Sequence, residues 1–272
     1  MASILNNVAA LGASRQLGHT ASGLQKTIER LTTGRRINRA SDDAAGLGIS
    51  DRLGMDIRVA SQGKRNANDG ISYLQVADGI LEEVTNLLDR AGELTQQAKT
   101  GTISDSNRID LDIEFQNIIR SISDIGQNTK FNGTVVFTTS TLVIAVGSFS
   151  PVSVTVGTIS ATTTSALGLT ATTDNITNSV NAGAVADKIA SAIDIVSNIR
   201  ATIGASQQQL AAINNSLGVQ VDNFTAAFAQ IRDADIADEV VNLTKFQILN
   251  QSTTNALSQA NQAAQGILML LK

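Results

Sequence analysis

The spacing of apolar residues divides this 272-residue chain into three zones. In residues 1–130 and 183–272, apolar side chains recur at alternating steps of three and four, which is typical of helices that pack lengthwise. Residues 131–182 lack that spacing. Both ends of the chain are therefore predicted to be helical. The repeats of the first zone are Leu17, Ala21, Leu24, Ile28 and Leu31, then Leu74, Ala77, Leu81, Val84, Leu88 and Ala91, then Leu111, Phe115, Ile118, Ile122 and Ile125.

In the third zone a seven-residue repeat runs from Ile189 to Ile231 without interruption. A helix across this repeat would be roughly 65 Å long, and we expect it to form the seam of a rod. The companion position of the repeat holds Arg200, Gln207 and Asn214, polar residues that weaken packing but fix the register of paired helices. The predicted rod-seam residues are Ile189, Val196, Ile203, Leu210, Leu217, Phe224 and Ile231.

The middle zone changes to the alternating pattern of β-strands. Val152, Val154 and Val156 alternate with Ser and Thr, and the stretch TVVFTTSTLVIAVG is rich in β-branched residues. No charged residue lies between Lys130 and Asp174, so these strands need cover to avoid pairing edge to edge. The predicted fold class is mainly α: a long coiled-coil-like helical hairpin or bundle that forms a rod from both ends of the chain, with a small central β-hairpin region.

Local signals mark a helix start and a connection between helices. Ser41, followed by Asp42, Asp43 and two alanines, predicts an N-cap with acids in the first turn. A cap is the better interpretation than a catalytic carboxylate pair, because adjacent residues on a helix point apart. The stretch KTGTISDSNR, residues 99–108, breaks the apolar spacing and predicts the connection between two antiparallel helices.

The carboxyl-terminal stretch is unusual because it carries no charge from Phe246 to Leu271. A water-facing tail normally uses charge to stay solvated, whereas a membrane helix needs a mainly apolar run that this stretch interrupts with Gln, Asn, Ser and Thr. We expect it to be buried against other protein. Because the first acid of the chain is Glu29 and the last is Glu239, both ends are expected to become ordered only on assembly.

Composition excludes several classes of function. The net charge of −4 and the lack of a basic run argue against nucleic-acid binding. With no Cys and His19 as the single histidine, no thiolate site or Ser-His-Asp triad is expected, and the glycines form no phosphate-binding loop. We predict neither an enzyme nor a cofactor site. The acidic run DADIADE lacks the central Gly of a calcium loop, and we interpret it as a solvated helix turn.

Five stretches carry a family resemblance. They are IERLTTGRRINRASDDAAGLGISDRL, RNANDGISYLQVADGILEE and TKFNGT in the first half, and IRDADIADEVVNLTKFQILNQ and ALSQANQAAQGILMLLK in the second. These stretches closely resemble bacterial flagellin, the subunit of the flagellar filament. The match as a whole spans nearly all of the first and third zones. The resemblance implies an exported, extracellular structural subunit that self-assembles into the filament used for motility. The short middle zone is similar to that of a minimal flagellin without outer variable domains.

The resemblance also implies a division of the chain. Residues 1–45 with 230–272 would form a terminal helix pair that lines the inner tube of the filament. Residues 46–130 with 184–229 would form a long-helix bundle, and 131–183 a short β-rich variable region. The chain departs from the family at Arg35 and Arg36, which follow Gly34, and at Ala264, where Pro is frequent. The residues expected in subunit packing and the inner tube are Ile4, Val8, Leu11, Leu17, Leu24, Leu257, Ala260, Ala264, Ile267 and Leu271.

The partners implied by the resemblance are further copies of the chain, an export chaperone, and the hook-associated and cap proteins. The start of the chain lacks the basic region of a cleavable signal, so we expect export without one. Arg90, Glu93, Leu94 and Glu114 match the flagellin surface read by Toll-like receptor 5, although Gly92 and Thr95 depart from it. The same face contacts neighbouring subunits in family filaments, so receptor recognition and subunit contact both stay open.

Two other functions remain as alternatives. A hook–filament junction protein shares the terminal helices but does not form long filaments by itself. A signalling coiled coil of chemoreceptor type would have charged, water-stable helix ends and no central β segment, and both the middle zone and the uncharged tail count against it.

Overall fold

The computed structural model describes residues 7–138, 141–147, 149–154, 167–171 and 173–269. In these residues the chain forms five α-helices and two small β-hairpins, which confirms the predicted mainly α class. The helices are α1 (Val8–Thr33), α2 (Ala44–Lys99), α3 (Asp105–Asn128), α4 (Ser179–Arg232) and α5 (Ile236–Met269), and the strands are β1 (Lys130–Phe131), β2 (Thr134–Val135), β3 (Leu142–Ile144) and β4 (Val152–Val154).

The described residues fall into two compact units. One unit, called here the terminal unit, takes its residues from Met1–Ile57 and Asp222–Lys272. The other, the central unit, takes them from Arg58–Val221 and includes both hairpins. Helices α2 and α4 contribute residues to both units. The three-part division expected from the resemblance stays a prediction.

The core of the central unit combines the heptad positions of three helices with buried residues of the hairpin region, such as Ile144 and Val152. On α2 the whole predicted run from Leu74 to Ala91 is fully buried. On α3 Phe115, Ile118 and Ile122 are buried, and α4 contributes a buried residue every seven positions. Packing at this spacing buries one stripe of each helix, which explains why narrow apolar seams are sufficient. The buried α4 residues of the predicted seam are Ile189, Val196, Ile203, Leu210 and Leu217.

The connection between α2 and α3 spans residues 100–104 and lies within the predicted stretch 99–108. Ser104 caps α3, since its side chain accepts a hydrogen bond from the backbone of Asn107. The buried Arg108 guanidinium donates to the carbonyl oxygens of Ala98 (2.8 Å) and Thr100 (3.1 Å). Carbonyls at the end of a helix lack partners within the helix. Arg108 therefore satisfies the end of α2 from the first turns of α3.

The hairpins pack against α2. Strands β1 and β2 are joined by Asn132 and Gly133, whose positive φ angles of 49° and 80° suit a two-residue hairpin turn. The Tyr73 hydroxyl donates to the carbonyl of Val136 (2.9 Å), which fastens this hairpin to the helix. At Gly70 an added Cβ would lie 2.5 Å from Ile144, so the absence of a side chain lets β3 approach. Of the predicted strand residues, Val156 lies outside the described part.

The start of α2 differs in detail from the predicted cap. The helix begins at Ala44, and Asp43 rather than Ser41 caps it by accepting a hydrogen bond from the backbone of Gly46 (2.8 Å). Asp42 lies outside the helix, where it accepts from two backbone N–H groups of the preceding turn and pairs with Lys26 (2.7 Å). That hydrogen bond from Lys26, with those from the backbone, lowers the pKa of Asp42 to about 2.

Candidate functional site

Helices α1 and α5 pack together along most of their length and form the candidate assembly element of the chain. The side chain of Asn7 caps α1 and donates to the carbonyl of Ala260 (2.9 Å), whereas Arg30 near the other end of α1 reaches Glu239. As the residue number rises along α1, the number of the residue that it contacts on α5 falls, so the two helices are antiparallel. Their inward positions repeat at steps of three and four: Ala10, Ala13, Leu17, Thr20, Leu24, Thr27 and Leu31 on α1, and Glu239, Leu243, Phe246, Asn250, Thr253, Leu257, Ala260 and Ala264 on α5.

Threonines replace two predicted residues in this seam. Leu17 and Leu24 face inward as the repeat requires, but Thr20 (2% exposed) and Thr27 (4%) are buried in place of Ala21 and Ile28. Ile28 is 48% exposed. Alternating steps of three and four from the leucines fit both the threonines and the pair Ala21 and Ile28. The Thr20 hydroxyl donates a hydrogen bond to the Leu17 carbonyl of its own helix (3.0 Å). Since this bond satisfies the hydroxyl, threonine is tolerated in the seam and the prediction of Ala21 and Ile28 was wrong.

A buried ion pair joins α1 to the first turns of α5. Arg30 donates to Glu239 at 2.9 Å, and the Glu239 side chain is only 8% exposed. The prediction of a fully solvated acidic run is therefore wrong for Glu239, whereas Asp233, Asp235 and Asp238 are exposed. A buried carboxylate needs a partner, and Arg30 supplies it from the other helix. The pair links two residues that are far apart in the sequence.

The break between α1 and α2 is bonded to the break between α4 and α5. Helix α1 ends at Gly34, whose φ of 67° is a conformation that favours glycine. The next residue, Arg35, forms a bridge to Asp233, and the backbone N–H of Arg36 donates to Arg232 (2.7 Å). Asp235 then caps α5 through the backbone of Ala237 (2.8 Å). The two breaks therefore form one hydrogen-bonded joint.

Side-chain contacts reinforce this joint. The Arg36 guanidinium donates to the carbonyl of Ile231 (2.8 Å), and Arg232 pairs with Asp51 (3.0 Å). Arg35 and Arg36 form one of the two places at which the sequence departs from the family that it resembles, the other being Ala264, so this departure lies in the joint itself.

The predicted subunit-packing residues occupy three kinds of place. Leu17, Leu24, Leu257, Ala260 and Ala264 are half-buried in the chain's own helix pair. Val8 and Leu11 are exposed on α1. Ile4 and Leu271 lie outside the described residues, as does the side chain of Ile267. The role of all of them in contacts between subunits stays a prediction.

The predicted rod seam is buried in the central unit and half-buried in the terminal unit, where Phe224 and Ile231 lie. The polar companion positions make specific contacts to α2. Arg200 donates to Asp78 (2.9 Å), which raises the pKa of the Arg200 guanidinium, and Asn214 donates to Asn68 (2.6 Å). Pairs of this kind favour one alignment of two helices over its neighbours.

The candidate receptor surface needs one correction. Arg90, Glu93 and Glu114 are exposed, and the Arg90 guanidinium binds both carboxylates at 2.8 Å. The hydrogen bond to Glu93 first, and then that to Glu114, raises the pKa of Arg90. Leu94, however, is 1% exposed and belongs to the core. Because its side chain is covered by the chain itself, Leu94 is not available to a receptor.

Sequence reasoning missed the buried Glu239 and the threonines of the helix pair. Polar residues carry no apolar signal, so a repeat defined by apolar residues passes over them. A signal existed for Thr253, which lies three and four residues from Asn250 and Leu257 in the same repeat. In the described part of the chain no helix is sufficiently long and apolar to cross a membrane.

Comparison with known proteins places these elements in one family. The family model of the bacterial flagellin N-terminal helical region matches residues 4–141, and that of the C-terminal helical region matches residues 186–271. Flagellin FlaB2 of Treponema pallidum (strain Nichols) is 35% identical over 287 aligned residues, and the alignment covers 99% of each chain. A flagellin of Halalkalibacterium halodurans is 36% identical over 271, again with 99% of each chain covered.

Solved structures give the same relationship. The crystal structure of Bacillus cereus flagellin superposes with a TM-score of 0.50 at 27% sequence identity. The match covers 60% of this chain and 94% of that one.

Proposed function

This chain belongs to the bacterial flagellin family, and from that premise we propose that its α1–α5 pair is the element through which it assembles. The protein is a structural subunit of the flagellar filament, a homopolymer outside the cell, and it is not an enzyme. The match of family models to both helical ends, residues 4–141 and 186–271, is the observation that carries this conclusion. Its length is that of a short flagellin.

The chemistry of α5 supports its role in assembly. The side of α5 that faces α1 is packed against that helix. The opposite side is exposed and rich in uncharged amides, among them Gln251, Asn255, Gln259 and Gln262. Amides bind water as well as other amides. Such a surface suits the inner layer of a hollow filament, where it touches other subunits and also faces a channel.

Assembly in this proposal has three steps. An export chaperone holds the carboxyl-terminal segment, the chain passes through the filament channel without a cleaved signal, and it folds at the tip under the cap. The terminal helix pair, residues 1–45 with 230–272, then lines the tube. The bundle of residues 46–130 with 184–229 and the β-rich region of residues 131–183 lie outside it. Identical head-to-tail contacts that do not close give an open helix of subunits.

Recognition by Toll-like receptor 5 is a narrower proposal. It rests on Arg90, Glu93 and Glu114, the exposed members of the matching surface. The receptor would have to replace the bonds that Arg90 already makes to the two carboxylates. Such an exchange favours binding only where the receptor supplies charged partners of its own.

Negative-stain electron microscopy tests the assembly element directly. We would compare the seeded full chain with a version that ends at Lys245 and therefore lacks most of α5. Long tubes from the full chain and none from the truncated chain are expected. Tubes from both would show that the uncharged segment is dispensable, and monomers from the full chain would count against autonomous assembly.

A further inference from the structure

We propose that a second copy of this chain packs on an exposed apolar patch of the terminal unit. The proposal rests on the filament function and assigns a contact surface of which the sequence repeat indicated only Ile28. The leucines of the α1–α5 seam are already used within the chain, so contacts between subunits need other apolar side chains. The patch consists of Ile28 (48% exposed), Ile236 (49%), Val240 (49%), Val241 (66%) and Ile248 (63%).

The members of the patch lie on one continuous face. Ile28 follows the buried Thr27, and Val240 follows the buried Glu239. Positions directly after equivalent seam residues flank the same side of an antiparallel helix pair. On α5, Ile236 and Val240 are one turn apart, and Val241 and Ile248 are two turns apart. Only uncharged residues, such as Thr244, lie between these two rows.

The charged side chains beside the patch on α1 already form ion pairs within the chain. Lys26 pairs with Asp42 (2.7 Å), Glu29 with Arg39 (3.0 Å), and Arg30 with Glu239 (2.9 Å). A protein that covers the patch therefore does not strip water from an unpaired charge at its α1 edge. The exposed Asp238 and Lys245 border it on α5 and form a polar rim, as is usual around an interface core.

The size of the patch also points to an interface. The five exposed fractions correspond to an apolar surface on the order of 400 Å², which is in the range where patches mark interaction sites. That is about half of one side of a standard protein–protein interface. A filament grows by contacts between different faces of successive copies, so the patch meets another face of the next subunit rather than its own counterpart.

Assembly of an exposed-site variant tests the proposal. In a Val241→Ser/Ile248→Ser chain we expect the concentration needed for filament growth to rise at least about tenfold, because the apolar contact is lost. The monomer should keep its helical circular dichroism, since both side chains are exposed. The matched control, Val241→Ile/Ile248→Val, keeps the patch apolar and should assemble like the wild type. Growth of the serine variant at the wild-type concentration would overturn the proposal.

Chemical labelling gives a second test that does not depend on weakened assembly. The chain has no cysteine, so Ile248→Cys introduces a single thiol into the patch. We expect maleimide to label this thiol at least about tenfold more slowly in filaments than in monomers. Equal rates in both states would show that nothing covers the patch, although filaments had formed. Failure of the wild-type chain to form filaments would instead oppose the assembly function.

Discussion

The ring of Phe246 on α5 lies directly against the backbone of Gly23 on α1. A Cβ built at Gly23 would be 2.5 Å from Cε1 of the ring and 2.6 Å from Cζ. The close approach of these two residues aligns the antiparallel pair near its middle, between the Asn7–Ala260 and Arg30–Glu239 contacts. Glycine at position 23 is therefore a packing requirement rather than a source of backbone freedom.

Replacement of Gly23 by Ala should weaken the helix pair. The added methyl group displaces the ring, at a cost of roughly 1–3 kcal/mol, against a gain of about 1 kcal/mol in helix propensity. Gly18 on the same helix is a matched control because an added Cβ meets nothing within 4 Å. Chemical unfolding followed by circular dichroism should show Gly18→Ala to be the more stable variant. The reverse order would contradict the packing role of Gly23.

Replacement of Glu239 by Gln should reduce the stability of the fold, although the two side chains have nearly the same shape. Glu239→Gln leaves Arg30 without a counter-ion in a half-buried site, and breaking such a pair typically costs about 3–5 kcal/mol when it is fully buried. Because Arg30 is 25% exposed, we expect a smaller loss, about 1–3 kcal/mol. The measurement is the free energy of unfolding of the chain in filaments, because both ends are expected to become ordered only on assembly. Asp238→Asn, one residue away and exposed, serves as the control and should change it little.

The Lys26–Asp42 pair should make the α1–α2 connection sensitive to acid. The pKa of Asp42 is about 2 in the folded chain, against 3.8 for an ordinary Asp. A lowered folded pKa means that the pair stabilises the fold above about pH 4. That contribution is lost as the pH falls from there toward 2. Asp42→Asn should therefore be less stable than the wild type at pH 6, and the difference should shrink at pH 2. A pH-independent difference would show that the charge of Asp42 is not what matters.

Alanine variants of Leu94 and Arg90 should distinguish a loss of core packing from a loss of receptor recognition. Leu94→Ala removes a fully buried side chain and should cost about 2–5 kcal/mol of stability. Arg90→Ala removes an exposed ion pair and should change stability little, because solvent screens such pairs. Thermal unfolding checks both expectations. If Toll-like receptor 5 reads this surface, Arg90→Ala at full stability should lose receptor signalling, and an unchanged response would sink that proposal.

The sequence by itself determined the helical class, the seams of α2 and α4, and the family. The steps of three and four from Leu74 to Ala91 bury one face of α2, and the sevenfold repeat from Ile189 to Leu217 does the same on α4. These periods follow from the geometry of the helix alone, so they can be read without knowing any partner. The break at residues 100–104 lies within the stretch 99–108 that the sequence predicted, because the residues of that stretch do not continue the pattern.

Where two sets of residues fitted the repeat, or where the buried residue was polar, only the tertiary structure decided which side chains share the buried face. Thr20 and Thr27 face α5 in place of Ala21 and Ile28, and Glu239 is buried because Arg30 reaches it from the other end of the chain. A polar residue is tolerated inside a protein only when a partner satisfies it. For Glu239 the partner comes from a distant segment, so no local pattern announces it. Because Thr27 faces α5, Ile28 is turned toward solvent. It lies on the same side of the helix pair as the exposed apolar residues Ile236, Val240, Val241 and Ile248 of α5.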